Sequence, residues 1–314
     1  MNRRRFFSSG HGININNYMT VVSRGTNLTV SFTNPLEYCI DGSGEWVSLP
    51  ASTETPPINV GHTISFRAHL TPVDINTGIG TFTISTYCNL VGNCMSLLLG
   101  DNDDDIRSLS SYNYAFAHLF EGCSKIIECA NGFLPAVTLS KGCYYHMFDN
   151  CTSLVSAPVL PATTLKSQCY GYMFYGCSAL VTAPDLPATT LDAYCYNVMF
   201  GSCTSLVKAP SLPATVLKNF CYYGMFDNCT SLVYAPVLPA DRLVAYCYTM
   251  MLSNCTALSY IKMLATSTAS SLAASNWVQN VASEGTFVKH PDNTFMSTGI
   301  SGIPSGWTVK TATS

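Results

Sequence analysis

Cys143, Cys169, Cys195, Cys221 and Cys247 stand 26 residues apart, and so do Cys151, Cys177, Cys203, Cys229 and Cys255. The same period carries Leu-Pro-Ala at 134, 160, 186, 212 and 238, Tyr144 to Tyr248, Met147 to Met251 and Leu154 to Leu258. A chain with such a period is a solenoid, because one short unit cannot enclose its own apolar stripe and only stacked neighbours bury it. A divergent earlier copy fits with a two-residue insertion: Ala115 takes the place of Cys143, Leu119-Phe120 that of Met147-Phe148, and Cys123 that of Cys151. The stack therefore starts near residue 106.

Within one unit Leu139, Cys143, Met147 and Cys151 recur every fourth residue, with Tyr144 and Phe148 widening the stripe. That spacing predicts a short helix with one buried face. Asn150, or Gly176, Ser202, Asn228 and Asn254 in the other units, supplies turn chemistry after it. Leu154 to Pro161 then reads as an extended segment whose paired part is limited to about Leu154–Ala157, since Pro158 has no N–H to donate. Stacking at the strand spacing of about 4.8 Å lays each core residue on its counterpart.

The run Met-Phe-x-x-Cys-[Thr/Ser]-x-Leu-Val at 147–155, 173–181, 199–207 and 225–233, followed by Ala-Pro-x-Leu-Pro-Ala, resembles the BspA-like leucine-rich repeats of bacterial surface proteins. The resemblance covers residues 106–264. It departs from that class in a longer unit, a second cysteine per unit and Ala where the strand commonly carries Ile. It implies a leucine-rich-repeat solenoid that attaches to a host cell, matrix component or glycan.

The flanks read differently. Residues 17–105 hold Tyr18–Ser23, Asn27–Phe32, His62–His69 and Gly80–Ser85, which largely alternate apolar and polar and are punctuated by Gly, Pro, Asn and Asp. This pattern predicts an antiparallel β-sandwich of immunoglobulin-like size. Residues 265–314 offer Leu272, Asn276, Trp277 and Val281 at helical spacing, then strands at 285–289 and 306–310, and are expected to form a small mixed cap. Residues 1–16 read as a basic tail. The expected class is thus α+β: sandwich, 26-residue-unit solenoid, cap.

Charged residues make up only 11% of the 314, and the net charge is −3. The single basic run, Arg3-Arg4-Arg5, gives no electropositive surface, which argues against nucleic acid. Phe6-Phe7 after it gives way to Ser-Ser-Gly-His-Gly, too short an apolar stretch for a Sec-type signal, and no run reaches the ~20 apolar residues of a membrane span. No membrane insertion is expected. Fifteen cysteines with no Cys-x-x-Cys, ten of them in parallel columns, suit buried thiols better than metal ligands, which must converge on one point; a disulfide ladder between adjacent copies is the alternative that the stacking distance allows.

Catalytic patterns are missing: Gly-x-Ser-x-Gly, Walker and His-Glu-x-x-His sequences do not occur, and the His146 column reads Tyr172, Val198, Gly224 and Met250 in later copies, so no cysteine–histidine pairing is repeated. The expectation is a non-enzymatic protein without a cofactor. Asp101-Asn102-Asp103-Asp104-Asp105 invites calcium, but Ile106 and Tyr112 stand where an EF-hand loop needs Gly and Glu, so the run reads as an acidic linker. His118 and Glu121 align with His146 and Asp149 one unit later, a donor set for a divalent metal on adjacent turns. The plainer alternative is two solvated surface pairs. The Tyr144 column belongs at the edge of the core rather than against sugars.

Variation is confined to a few columns. Ser156, Thr182, Lys208 and Tyr234 share one strand position, and Val159, Asp185, Ser211 and Val237 another. Ser156, Thr182, Lys208, Tyr234, Asp185 and Ser211 are the candidate ligand-binding residues. A protein or glycan on a cell surface is the expected partner, with self-association or particle assembly through the N-terminal region. A phage- or prophage-type particle appendage accommodates the missing signal; a bacterial adhesin with its export signal elsewhere and a structural virion spacer are the alternatives. Location on a virion or an extracellular surface follows from that reading.

Overall fold

The computed structural model describes residues 12–101 and 107–313. The Arg3–Arg5 tail, and the acidic run apart from Asp101, lie outside the described residues. The N-terminal part is a sheet domain built from β1 (Met19–Ser23), β2 (Val30–Phe32), β3 (Leu36–Ile40), β4 (Val47–Leu49), β5 (Thr63–Arg67), β6 (Phe82–Ile84) and β7 (Cys88–Gly92), followed by one turn of helix, α1 (Ser96–Leu99). Four of these strands lie in the segments whose alternation predicts them. The strands β3, β4 and β7 carry weaker alternation, and their pairing comes from the neighbours they meet.

Further strands are β8 (Ile126–Cys129), β9 (Tyr234–Leu238), β10 (Arg242–Leu243), β11 (Tyr260–Met263), β12 (Ser267–Thr268), β13 (Thr286–Lys289) and β14 (Thr308–Thr311). One sheet has the order β4-β3-β5-β1-β7-β8, antiparallel until β7 meets β8 in parallel. Single parallel bridges then join Glu128 to Ser156, Ser156 to Thr182, Thr182 to Lys208 and Lys208 to Tyr234. From there β9, β11, β13 and β14 pair in parallel. The ladder therefore runs from the N-terminal domain to Thr311. In the middle units the strand contracts to one bridging residue beside Pro158, Pro184 and Pro210, which lack an N–H to donate; Pro236 is accommodated within β9, where the register with β11 shifts.

The helix expected at 139–151 does not form, and neither does the one expected around Leu272–Val281: among the described residues α1 is the only α-helix. The α part of the expected fold class is thereby corrected. In place of helices each unit lays down consecutive tight turns. The N–H groups of Tyr145, Met147, Asp149 and Cys151 donate three residues back, to Gly142, Tyr144, His146 and Phe148. Those of Gly142, Tyr144, His146, Phe148 and Asn150 donate across to Ser167, Cys169, Gly171, Met173 and Tyr175 of the next unit. Every fourth residue takes a positive φ: +60° at Gly142, +54° at His146 and +56° at Asn150.

The physical reason lies in the period. An α-helix turns about 100° per residue, so a stripe repeating every four residues drifts about 40° per step and about 120° from Leu139 to Cys151. A chain that returns to the same orientation every four residues keeps the stripe straight. It also turns alternate amides outward, where they bond the neighbouring coil; a helix would consume them internally.

One hydrophobic core runs the length of the molecule. Rings stack along it in files: Phe120, Phe148, Phe174, Phe200 and Phe226 at centroid distances of 5.4 to 5.8 Å, and Tyr144 to Tyr248 at 5.7 to 6.1 Å. The Tyr144 column is thus inside the core. Phe82 of β6 begins the phenylalanine file, 5.4 Å from Phe120. Its N–H donates to Leu119 O and its carbonyl accepts from the Cys123 thiol at 3.0 Å. The N-terminal domain docks by supplying one more rung. At the far end Trp277 stacks 6.2 Å from Tyr248 and covers the tyrosine file.

Candidate functional site

The parallel bridges set the side chains of Ser156, Thr182, Lys208 and Tyr234 beside one another in a single exposed file. Tyr234 is 62% exposed. Asp185 and Ser211 are exposed in a second file three residues further along the chain, between Val159 and Val237, which are also exposed. A stripe that the repeat pattern hides lies next to the first file: Val155, Val181 and Val207, each nearly half exposed. These valines are invariant among the three units, so a search confined to variable columns passes over them. Together the files offer hydroxyls, one ammonium, one carboxylate, one phenol and a band of methyl groups on a rigid lattice.

His118, Glu121, His146 and Asp149 form a second cluster, on the turn side. Nδ1 of His118 lies 2.6 Å from Oε2 of Glu121, and its Nε2 lies 2.9 Å from the carbonyl of Ile75. His146 meets Oδ2 of Asp149 through Nδ1. The two imidazoles stack with centroids 4.9 Å apart and planes 13° off parallel, and Tyr172 continues the file 4.5 Å beyond His146. Asp149 is buried, and its Oδ1 has no protein partner. The sequence alignment of the two pairs finds this stacking. It does not find Ile75, which reaches His118 from a loop of the N-terminal domain.

The cysteines are unpaired and buried, all fifteen of them. Cys151, Cys177, Cys203, Cys229 and Cys255 each donate the thiol to the carbonyl of a phenylalanine one coil back, at 3.1 to 3.2 Å. Burial pushes the Cys143, Cys195 and Cys255 thiols up to about 12. A thiol held neutral and out of reach of solvent is neither nucleophile nor ligand. The columns act as small hydrophobes with one weak donor each.

A groove of about 290 Å³ lies between Arg107, Gly132, Leu134, Pro135, Val159 and Pro161, beside the second exposed file. Among the described residues no helix is long and apolar enough to cross a membrane. No protein-family model, curated protein or solved structure matches the chain.

Proposed function

We propose that the protein is a non-enzymatic recognition module whose sheet face binds a protein or glycan on a cell surface. The observation that carries this reading is the file Ser156, Thr182, Lys208 and Tyr234: four chemically different, exposed side chains at one strand position, on coils whose buried positions are almost identical. A stack fixes the spacing and direction of such groups, so a ligand meets them without ordering them first. Lys208 and Tyr234 adjoin in the file and give a cationic donor beside an amphipathic ring, a pairing well suited to acidic or hydroxyl-rich surfaces. The apolar stripe of Val155, Val181 and Val207 adds contact area alongside.

The finer assignments rest on the same footing. The coils are similar in sequence to BspA-like leucine-rich repeats, and the N-terminal sheet domain is of immunoglobulin-like size and alternation. Placement on a phage- or prophage-type particle, or on a bacterial surface, follows from that resemblance. A spacer that touches only neighbours of its own particle is the second reading, favoured by the parallel ladder's continuity from β7 to β14.

Co-sedimentation of the purified protein with bacterial cells separates the two. A recognition module gives saturable retention that falls at least tenfold in Lys208→Ala and Tyr234→Ala. A spacer shows no saturable retention with any cell type tried.

A further inference from the structure

His118 is oriented in the way a ligating imidazole is oriented. Its Nε2 lies 2.9 Å from the Ile75 carbonyl, which can only accept, so that nitrogen carries the hydrogen. In the neutral ring Nδ1 then presents a lone pair to the Glu121 carboxylate oxygen at 2.6 Å, acceptor against acceptor. Either a proton on Nδ1 or a metal ion between the two atoms relieves that contact. His146 is held in the complementary way: the buried Asp149 carboxylate takes Nδ1–H and leaves Nε2 open. In metal sites the ring nitrogen that does not bind the ion is held by a backbone carbonyl or carboxylate, and both histidines here have that support.

Ligand atoms of His118, Glu121 and His146 lie within 4.8 Å of one another. The His118 and His146 side chains are 15% and 18% exposed and that of Glu121 is 43% exposed, so the cluster is walled on the protein side and open to solvent at the carboxylate. Asp149 brings a buried charge whose second oxygen has no protein partner.

We propose that His118, Glu121 and His146 bind one divalent transition metal ion of the zinc type, with Asp149 as the positioning residue for His146. Two imidazoles and a carboxylate are a donor set zinc accepts, leaving a fourth position to water. The parallel rings carry their lone pairs in parallel planes, so binding tips them toward each other out of the stack. Because His118 is tied to Ile75, the ion also clamps the loop of the N-terminal domain to the first coil of the solenoid.

The test uses the full chain stripped with a chelator, titrated with Zn²⁺ by calorimetry and with Co²⁺ by visible absorption. The expected result is one equivalent bound, with a cobalt spectrum of nitrogen and oxygen ligands and no sulfur-to-cobalt charge-transfer band. His118→Gln and His146→Gln each weaken binding at least tenfold. Asp149→Asn weakens it about 10- to 100-fold, the range for orienting partners. His62→Gln, which alters an exposed histidine 2.6 Å from Asp41, leaves it unchanged. The proposal is overturned if the wild-type chain binds no ion saturably, if a sulfur-to-cobalt band appears, or if His118→Gln and His146→Gln bind as the wild type does. The cobalt spectrum is read on the unaltered chain, so poor folding of a variant does not shield the proposal.

Discussion

Val198 holds a φ of +52°, a conformation that costs a β-branched residue more than almost any other. Its equivalents are His146, Tyr172, Gly224 and Met250, at +54° to +56°. A position that takes the left-handed conformation whatever side chain it bears is set by the backbone around it. Here the amide donates to the next coil, as that of Val198 does to the Tyr223 carbonyl at 2.8 Å. Glycine relieves the conformation at Gly142 and Gly224, but the two sites differ in space. A Cβ at Gly142 would overlap the Tyr114 ring, whereas one at Gly224 meets only Cγ2 of Val198, at 3.1 Å. Gly142→Ala is therefore expected to cost about 2–3 kcal/mol and Gly224→Ala about 1 kcal/mol. Denaturant unfolding of the two variants checks the order; equal costs would show that the steric term is absent.

At the scale of the element, the register of the coils was legible in the repeat and the conformation between register points was not. Leu139, Cys143, Met147 and Cys151 were identified as one buried stripe, and all four are buried. A period of four drifts about 40° per step on a helix, and Tyr144 and Phe148 widen the stripe enough to mask that drift in the sequence, so the same residues read as one helix face. Gly142, Gly171, Gly201 and Gly224 inside the supposed helices were the available warning, since glycine is a poor helix former. The candidate site divides in the same way. Its exposed file follows from alignment of the units, as does the His118–His146 stack. The Ile75 carbonyl comes from a loop 43 residues earlier, and no local pattern announces it. Packing between coils predicts the cost of truncation: Leu206, fully buried, should lose about 2–5 kcal/mol on change to Ala. Thermal or chemical denaturation measures it, and a loss below 1 kcal/mol would mean that the coils do not share a core.

Across the whole molecule, the sheet and the core pass from the N-terminal domain into the solenoid, so that domain covers one end of the stack, while β14 ends the sheet at the other with its four residues exposed. That core is filled with thiols, which gives it a particular response to pH. Burial raises the thiols of both columns above their ordinary value near 9, while in the unfolded chain they ionise there. Above pH 9 the unfolded state therefore binds fewer protons than the folded one, and stability falls as pH rises. The contribution is intact below the unfolded-state value and is lost progressively as pH climbs toward 12. Denaturation midpoints at about pH 6, 7.5 and 10.5 should be level between the first two and clearly lower at the third, with the fall beginning as pH nears 9; a flat profile would place the thiols in solvent.

The account depends throughout on coils made of repeated turns rather than helices, because only that conformation sends alternate amides to the neighbouring coil and sets the exposed files in line. Backbone chemical shifts and φ-dependent scalar couplings, recorded by NMR on the full chain, measure it directly. The predicted result is a positive φ recurring at 142, 146 and 150, again at 168, 172 and 176, and at the matching positions of each later unit. An unbroken run of helical shifts and couplings from 139 to 151 would contradict it.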